Sequence, residues 1–323
     1  MRLLRVLFAG SPAIAVPSLE AIRGAEGIEI AGVLTNPDTP KGRHGDPSPT
    51  EVGEAAEKLG ITPVLKPAKL DAGARERVSL LTPDLLVSFA YGSYFGPKFL
   101  ALFPLGGINI HPSLLPKYRG PTPIQAAIMS RDSETGVTTQ RLARETDSGD
   151  ILAAVSIPLS GRETAASLGG TVSLLAAASL KDTLRGIASG KALGAPQDHG
   201  KASYCSLISK ADRFIDWNAR AAEIEARIRA FDPWPLCGTV HNGKELSLLE
   251  ADIYPAGQGA GKNPPGTVLG TDKQHGILIQ TGEGILAVTR LRYAAKKALF
   301  WKDFLNGARD FLGSVLASKG IKV

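Results

Sequence analysis

Two polar side chains that could support acyl transfer lie two residues apart at the end of an apolar stretch. Asn109 and His111 alternate with Ile108 and Ile110, so both would project from the same face of a strand. An amide can donate a hydrogen bond to a developing oxyanion, and an imidazole can exchange a proton near neutral pH. The pattern predicts a short strand that carries these groups and ends at Pro112, which cannot continue strand pairing.

A third candidate, Asp147, lies in a glycine-containing turn that precedes the apolar stretch 151–157. Its carboxylate could orient His111 or hold a charge beside it. None of the three residues is a nucleophile. On spacing alone a structural role is the simpler interpretation, in which Asn109 closes a strand, His111 is a hydrogen-bonded core histidine and Asp147 forms a turn.

The surrounding chain alternates between apolar strands and helical patterns. This alternation predicts a Rossmann-like, doubly wound, mainly parallel sheet, whose ligands bind at the carboxyl ends of the strands. The first turn, Ala-Gly-Ser-Pro at residues 9–12, lacks the glycines of a dinucleotide fingerprint. Strands are predicted at 3–9, 28–35, 63–65, 85–90, 108–111, 137–142 and 151–157, and helices at 12–22, 50–59, 72–81, 97–102, 124–130 and 165–187.

Downstream the pattern changes. We expect residues 1–189 to form a catalytic domain, 190–205, which are small and polar, a linker, and 206–323 a second domain. Short strands near 236–240, 246–251, 267–269, 276–280 and 285–293 predict a small β-barrel of the OB type. A helix over 301–316 would close it.

Charge is distributed unevenly along the chain. Residues 1–200 carry 20 Lys and Arg against 19 Asp and Glu, whereas residues 201–323 carry 17 against 12. A basic second domain could bind a polyanion, although a merely solvated surface explains the charge nearly as well. No apolar run reaches the ~18 residues of a membrane span. The two cysteines match neither a metal motif nor a disulfide framework, so a cytoplasmic protein with reduced thiols and no metal is expected.

The order and spacing of several motifs resemble the folate-dependent formyltransferase family. The first is the stretch from Asn109 to Gly120, and the second is the turn that contains Asp147. Further motifs narrow the resemblance to the methionyl-tRNA formyltransferases over nearly the whole chain. These are AYG at 90–92, PIQ at 123–125, ETGVT at 134–138, IDW at 215–217, RAFDPWP at 229–235 and KKA at 296–298.

The resemblance implies transfer of the formyl group of 10-formyltetrahydrofolate to the α-amine of methionine on initiator tRNA, for translation initiation. It implies attack by the free amine, an oxyanion stabilised by Asn109, proton movement by His111, and Asp147 holding His111 or a water. No metal takes part, and the enzyme is expected to be a monomer. The folate pocket would be lined by Ser113, Leu114, Leu115 and Pro116, largely through backbone groups, and tRNA would contact Arg43, Lys296 and Lys297.

Two alternatives stay open. The same signature serves enzymes that formylate amino sugars or glycinamide ribonucleotide and hydrolases that release formate, so the three site residues do not identify the acceptor. A non-catalytic RNA-binding protein on the same fold is the other. The basic second domain favours tRNA, and the intact site residues favour catalysis. The loop around Arg43 departs from the family, because Arg43-His44-Gly45-Asp46 is shorter and includes an acidic residue.

Overall fold

A seven-stranded β-sheet forms the centre of the first of two structural units. The computed structural model describes residues 3–40, 45–255 and 263–317. By their internal contacts, the chain up to Pro123, Glu134–Pro158 and Leu168–Ser206 form the first unit. Ile124–Ser133, Leu159–Ser167 and the chain from Leu207 onward form the second.

The sheet of the first unit is mainly parallel, as predicted. Its order is β5-β2-β1-β6-β7-β8-β9, and its first five strands are parallel. Strand β8 runs antiparallel to β7, and β9 runs antiparallel to β8. The turn that contains Asp147 joins β8 and β9 as a hairpin, which accounts for the second of these pairings. The strands up to this point are β1 (Leu4–Gly10), β2 (Ile28–Leu34), β3 (Thr39–Pro40), β4 (Pro47–Ser48), β5 (Val64–Leu65), β6 (Leu85–Phe89), β7 (Gly107–His111), β8 (Glu134–Arg141) and β9 (Ile151–Pro158).

Helices lie between the strands where the sequence predicts them. Helix α2 begins after Thr50, whose hydroxyl accepts a hydrogen bond from the Gly53 N–H at 3.0 Å, and Asp71 caps α3 in the same way. No helix in the described part of the chain is long and apolar enough to cross a bilayer. The helices are α1 (Val16–Ile22), α2 (Glu51–Lys58), α3 (Ala72–Ser79), α4 (Pro97–Leu100), α5 (Pro123–Met129) and α6 (Ala165–Ala188).

The second unit contains an antiparallel sheet of order β10-β11-β14-β13-β12, with β15 paired to β14. The five predicted strands are confirmed. Residues Val315 and Ala317 form bridges to the opposite edges of this sheet, at Thr267 and Val240, so the C-terminal segment spans the gap between them. The elements are α7 (Ala221–Ala230), β10 (Cys237–His241), β11 (Lys244–Ile253), β12 (Val268–Asp272), β13 (Gly276–Gln280), β14 (Ile285–Tyr293), β15 (Leu299–Phe300) and α8 (Trp301–Asn306).

The predicted helix over 301–316 is wrong beyond Asn306. Helix α8 ends there, and the Gly307 N–H bonds the Phe304 carbonyl at 3.1 Å. The following residues form turns and then the two edge bridges. Pairing with strand edges, which lie far away in sequence, outweighs the local helical pattern.

The segment predicted as a linker belongs, up to Ser206, to the first unit by its contacts. We call residues 195–206 the connecting segment. Ala195 exchanges two backbone hydrogen bonds with Ile151 of β9, and Tyr204 bridges Arg119 in parallel. Its small residues leave the backbone free to pair in this way. The division into separately folding domains stays a prediction.

Close packing in the seven-stranded sheet can be tested by comparing a glycine in the sheet with one in a helix. A Cβ at Gly136 in β8 would lie 2.1 Å from the Val155 carbonyl oxygen, whereas a Cβ at Gly169 in α6 meets nothing within 4 Å. We expect Gly136→Ala to lower the free energy of unfolding by about 1–3 kcal/mol. The control Gly169→Ala should leave it unchanged or raise it by about 0.5–1 kcal/mol, because alanine favours helix. Urea unfolding measures both, and equal stabilities of the two variants would contradict the packing described.

Candidate active site

Strand β7 and the turn between β8 and β9 bring Asn109, His111 and Asp147 together. The Asn109 Nδ2 donates a hydrogen bond to Asp147 Oδ1 at 3.3 Å. His111 Nδ1 lies 3.5 Å from Asp147 Oδ2. The two strand residues share a face, as their spacing indicates, and the carboxylate faces both of them. The structure thus assembles all three predicted site residues.

The His111 ring is buried, and one of its nitrogens is held by a hydrogen bond. Its Nε2 donates to the Tyr118 carbonyl oxygen at 2.8 Å. Because a carbonyl can only accept, the neutral ring carries its hydrogen on Nε2 and its lone pair on Nδ1, towards Asp147. Burial lowers the pKa of His111 below its ordinary value, while the charge of Asp147 and the Tyr118 carbonyl oppose this shift.

The Asp147 carboxylate accepts hydrogen bonds at both oxygens. Besides Asn109, Oδ1 accepts from Gln140 Nε2 at 2.9 Å, and Oδ2 accepts from the Gly120 N–H at 2.9 Å. The backbone of Asp147 is left-handed, with a φ of 51°. Three donors converge on one carboxylate, which suits its ionised form because that form can only accept.

Sequence reasoning missed Gln140, Tyr118 and Gly120. Gln140 lies opposite Asn109 in the β7–β8 ladder, and Thr138 lies opposite His111. The alternation of Thr138 and Gln140 on a strand was a usable signal for a second row of polar groups on this face. Tyr118 and Gly120 act through backbone atoms, which leave no such signal.

The loop predicted to line a folate pocket follows β7 directly. Thr138 Oγ1 donates to the Ser113 carbonyl at 2.7 Å and accepts from the Leu115 N–H at 3.1 Å. The carbonyls of Leu114 and Pro116 accept from Lys117 and Ser203. These bonds engage most backbone groups of the loop. Ser113 and Leu115 are buried, so the half-buried side chains of Leu114 and Pro116 are what the loop offers to a ligand.

The predicted tRNA-binding residues Lys296 and Lys297 lie beside a pocket in the second unit. Its volume is about 350 Å³, and its lining includes three basic side chains that form no ion pair within the described ranges. The site of Arg43 lies outside the described residues. The pocket is lined by Arg292, Tyr293, Lys296, Lys297, Leu299, Phe304 and Gly307.

Both cysteines are free thiols. The Cys205 Sγ accepts from the Thr122 N–H at 3.3 Å, and burial raises the pKa of this thiol. Burial also raises the pKa of Cys237, to about 12. Among the residues that the structure describes, no group of three or more His, Cys, Asp or Glu side chains is placed to hold a metal.

The lowered pKa of His111 predicts a pH-dependent stability. In the unfolded chain the imidazole binds a proton near pH 6.5, whereas in the folded protein it does so only at lower pH. Folded stability is therefore full above about pH 6.5 and falls as the pH drops towards the folded pKa, with a slope approaching about 1.4 kcal/mol per pH unit. Urea unfolding between pH 5 and 8 should show this slope in the wild type.

The variant His111→Asn should lose that component, because it removes the titrating ring. The control His275→Asn makes the same substitution in the second unit, so the difference between the two variants isolates the contribution of the His111 ring. An identical slope in His111→Asn and the wild type would contradict the prediction.

Comparison with known proteins agrees with the family resemblance seen in the sequence. Residues 2–183 match the family described as formyl transferase, and residues 207–309 match the family described as formyl transferase, C-terminal domain. The methionyl-tRNA formyltransferase of Treponema denticola is 49% identical over 96% of this chain and 98% of its own length. That of Roseiflexus castenholzii is 39% identical over 95% and 96%.

Among solved structures, HypX from Aquifex aeolicus in complex with tetrahydrofolic acid has a TM-score of 0.62 at 19% identity. The match covers 96% of this chain and 48% of HypX, so the chain spans about half the length of that protein. This likeness shows the fold. The two family matches and the full-length relatives together show that the chain belongs to the formyl transferase family, among the methionyl-tRNA formyltransferases.

Proposed function

We propose that this chain transfers the formyl group of 10-formyltetrahydrofolate to the α-amino group of methionine on initiator tRNA, in the cytoplasm, for translation initiation. The observation that carries the proposal is the contact of Asn109 and His111 with Asp147 at the end of β7. This end of a parallel strand is where open α/β sheets bind ligands. The relatives that match this chain over nearly their full length bear the corresponding name.

Asn109 is suited to stabilise negative charge on the formyl oxygen. One hydrogen of its Nδ2 is directed at Asp147, which leaves the second for another acceptor. The bond to Asp147 also fixes the amide, so this donor is oriented before a substrate binds. Preorganised donors of this kind contribute strongly to catalysis where an oxyanion develops.

His111 is suited to accept a proton from the attacking amine at Nδ1. Its lowered pKa keeps the ring neutral near pH 7, so the lone pair is available. Asp147 lies next to that atom and would stabilise the imidazolium ion once the proton has arrived. As the amine nitrogen forms its bond to the formyl carbon, the bond between that carbon and N10 of the folate breaks, and the proton taken up by His111 passes to N10. The chain's own residues supply the hydrogen-bond donor and the proton acceptor.

The folate would lie against the apolar side chains of Leu114 and Pro116, next to β7. This assignment retains the predicted loop Ser113–Pro116 but shifts its contribution from backbone to side-chain contact. The hydrogen bonds to Thr138 would keep the loop in place.

We infer that the pocket beside Lys296 and Lys297 receives a phosphate-bearing part of the tRNA. Three basic side chains without ion pairs in the described ranges are available to phosphates there. Arg43 is a further tRNA contact proposed from the sequence alone. The monomeric state also stays a prediction.

The catalytic roles predict losses of turnover without losses of folate binding. Asn109→Ala should lower kcat by about 10²- to 10³-fold through the missing donor, and His111→Ala by about 10²- to 10⁴-fold through the missing proton acceptor. Formyl transfer to charged initiator tRNA measures kcat, and calorimetry measures folate binding. Asn218→Ala, an exposed asparagine of the second unit, serves as the control. Near-normal turnover in either site variant would remove that residue from the mechanism.

The acceptor is tested in the same assay with charged initiator tRNA, charged elongator tRNA and an amino sugar. Transfer to the amino sugar but not to tRNA would replace the proposed acceptor.

The tRNA assignment predicts a change in salt dependence. Each phosphate neutralised contributes roughly −0.7 to −0.9 to the slope of log K against log salt. Lys296→Ala with Lys297→Ala should therefore flatten the slope for charged tRNA by about 1–2. The control pair Lys181→Ala with Lys191→Ala removes the same charge from the first unit and should keep it. Equal slopes in the wild type and the Lys296/Lys297 variant would show that these side chains do not contact phosphates.

A further inference from the structure

Arg119 is a buried cation without a carboxylate in contact. Only 1% of its surface is exposed, and its side chain forms no ion pair within the described ranges. Its Nε and Nη2 both donate to Gln197 Oε1, at 3.2 and 2.6 Å. Nη1 donates to the Tyr204 hydroxyl, and Nη2 lies 3.2 Å from His199 Nδ1. A buried charge requires compensation, and Gln197 connects this one to a carboxylate.

Gln197 connects Arg119 to Asp147 by hydrogen bonds through the side-chain amide of Gln140. The Gln197 Nε2 lies 3.2 Å from Gln140 Oε1, to which it donates. The Gln140 Nε2 in turn donates to Asp147 Oδ1 at 2.9 Å. Each amide therefore presents its oxygen towards the cation and its nitrogen towards the anion. The reverse orientation of either amide would place like groups against each other.

This orientation links the charges of Arg119 and Asp147 through two aligned amide dipoles. Hydrogen bonds in such a chain polarise one another in a low-dielectric interior. The cation makes Gln140 a stronger donor to Asp147, and the anion compensates the buried guanidinium. Gln197 is itself only 6% exposed, so water does not replace these bonds readily.

Gln197 also holds the backbone of the turn. Its Nε2 lies 2.9 Å from the Asp147 carbonyl oxygen and 2.7 Å from that of Gly149. The two hydrogens of this nitrogen are therefore shared among three acceptors, the two carbonyls and Gln140 Oε1. Asp147 has a left-handed backbone, which non-glycine residues adopt uncommonly and aspartate more readily than most, and the two hydrogen bonds hold it there. The same side chain therefore supports both the carboxylate, through Gln140, and the peptide that carries it.

We propose that Arg119 and Gln197 are positioning residues, which hold the Asp147 carboxylate against Asn109 and His111 through an amide relay. The proposal rests on the proposed function for its kinetic consequence. In the described part of the chain, neither side chain forms a hydrogen bond with Asn109 or His111. When the relay is broken, the Asp147 carboxylate is no longer held in place against Asn109 and His111. The charges that act on the His111 ring then change, while the surfaces that bind tRNA and folate keep their shape.

The variant Gln197→Glu separates the relay from the packing. A glutamate has nearly the same size and can pair with Arg119, but it cannot donate to Gln140 or to the two carbonyls. We expect kcat for formyl transfer to fall by about 10- to 100-fold, as a displaced supporting group would cause. KM for charged tRNA and for folate should stay within about twofold. The control Gln274→Glu, an exposed residue of the second unit, should match the wild type.

The titration of His111 provides a readout independent of activity. Ionisable groups around this ring are Asp147 in contact and, further along the network, Arg119, His199 and Cys205. Because the carboxylate introduced by Gln197→Glu would offset the charge of Arg119, the imidazolium form of His111 should gain stability. Proton NMR of the histidine rings should then show the His111 resonance titrating at higher pH than in the wild type, with His111→Asn used to assign it.

A second variant, Arg119→Lys, keeps the positive charge and loses the planar fork. It should lower kcat less than Gln197→Glu and leave the pH at which His111 titrates near that of the wild type.

A kcat and a His111 titration equal to those of the wild type in Gln197→Glu would overturn the proposal. So would a loss of thermal stability with kcat and the His111 titration unchanged, which indicates packing alone. Failure of the wild type to formylate charged tRNA would count against the proposed function. The His111 titration in Gln197→Glu would still test whether Gln197 acts on the site.

Discussion

The partial burial of one carboxylate, that of Asp147, constrains the architecture around the candidate site. Removing an ionised carboxylate from water is strongly unfavourable unless donors surround it. Asp147 meets this condition with Asn109 from β7, Gln140 from β8 and the Gly120 N–H from the loop after β7. Each donor comes from a different part of the chain. The strand order, the antiparallel hairpin and the loop must all be in place before the carboxylate can be buried.

The same constraint accounts for the state of His111. The ring lies between a carbonyl that accepts from Nε2 and a carboxylate beside Nδ1. Burial favours the neutral ring, and the carboxylate favours the protonated one. The balance leaves the imidazole neutral but next to a group that stabilises its conjugate acid. Such a pair can take up a proton briefly and return it, which a transfer between two nitrogens requires.

Much of the fold followed from local patterns, because alternation in strands and helical periodicity are local properties. Local patterns did not predict the antiparallel direction of β8 or the residue at which α8 ends. Both depend on pairing with strands elsewhere in the sequence. At the site, spacing alone favoured a structural role for Asn109, His111 and Asp147, and only the family resemblance implied catalysis, but their positions on a strand and in a turn made all three detectable as candidates. Arg119 and Gln197 were not, because 78 residues separate them. Gln197 lies in a stretch whose small, polar composition indicated only a linker.

The connecting segment has a consequence for the order in which the protein becomes competent during synthesis. Strand β9 ends at Pro158, and by then every strand of the first sheet has been made. Gln197, Ser203 and Cys205, which bond to the Asp147 turn and to the loop after β7, are added later. A nascent chain that has completed the sheet therefore still lacks part of the support for its carboxylate. The first unit has all of its contacts only when the chain has been made to Ser206, so the support of the site is completed after the sheet that carries it.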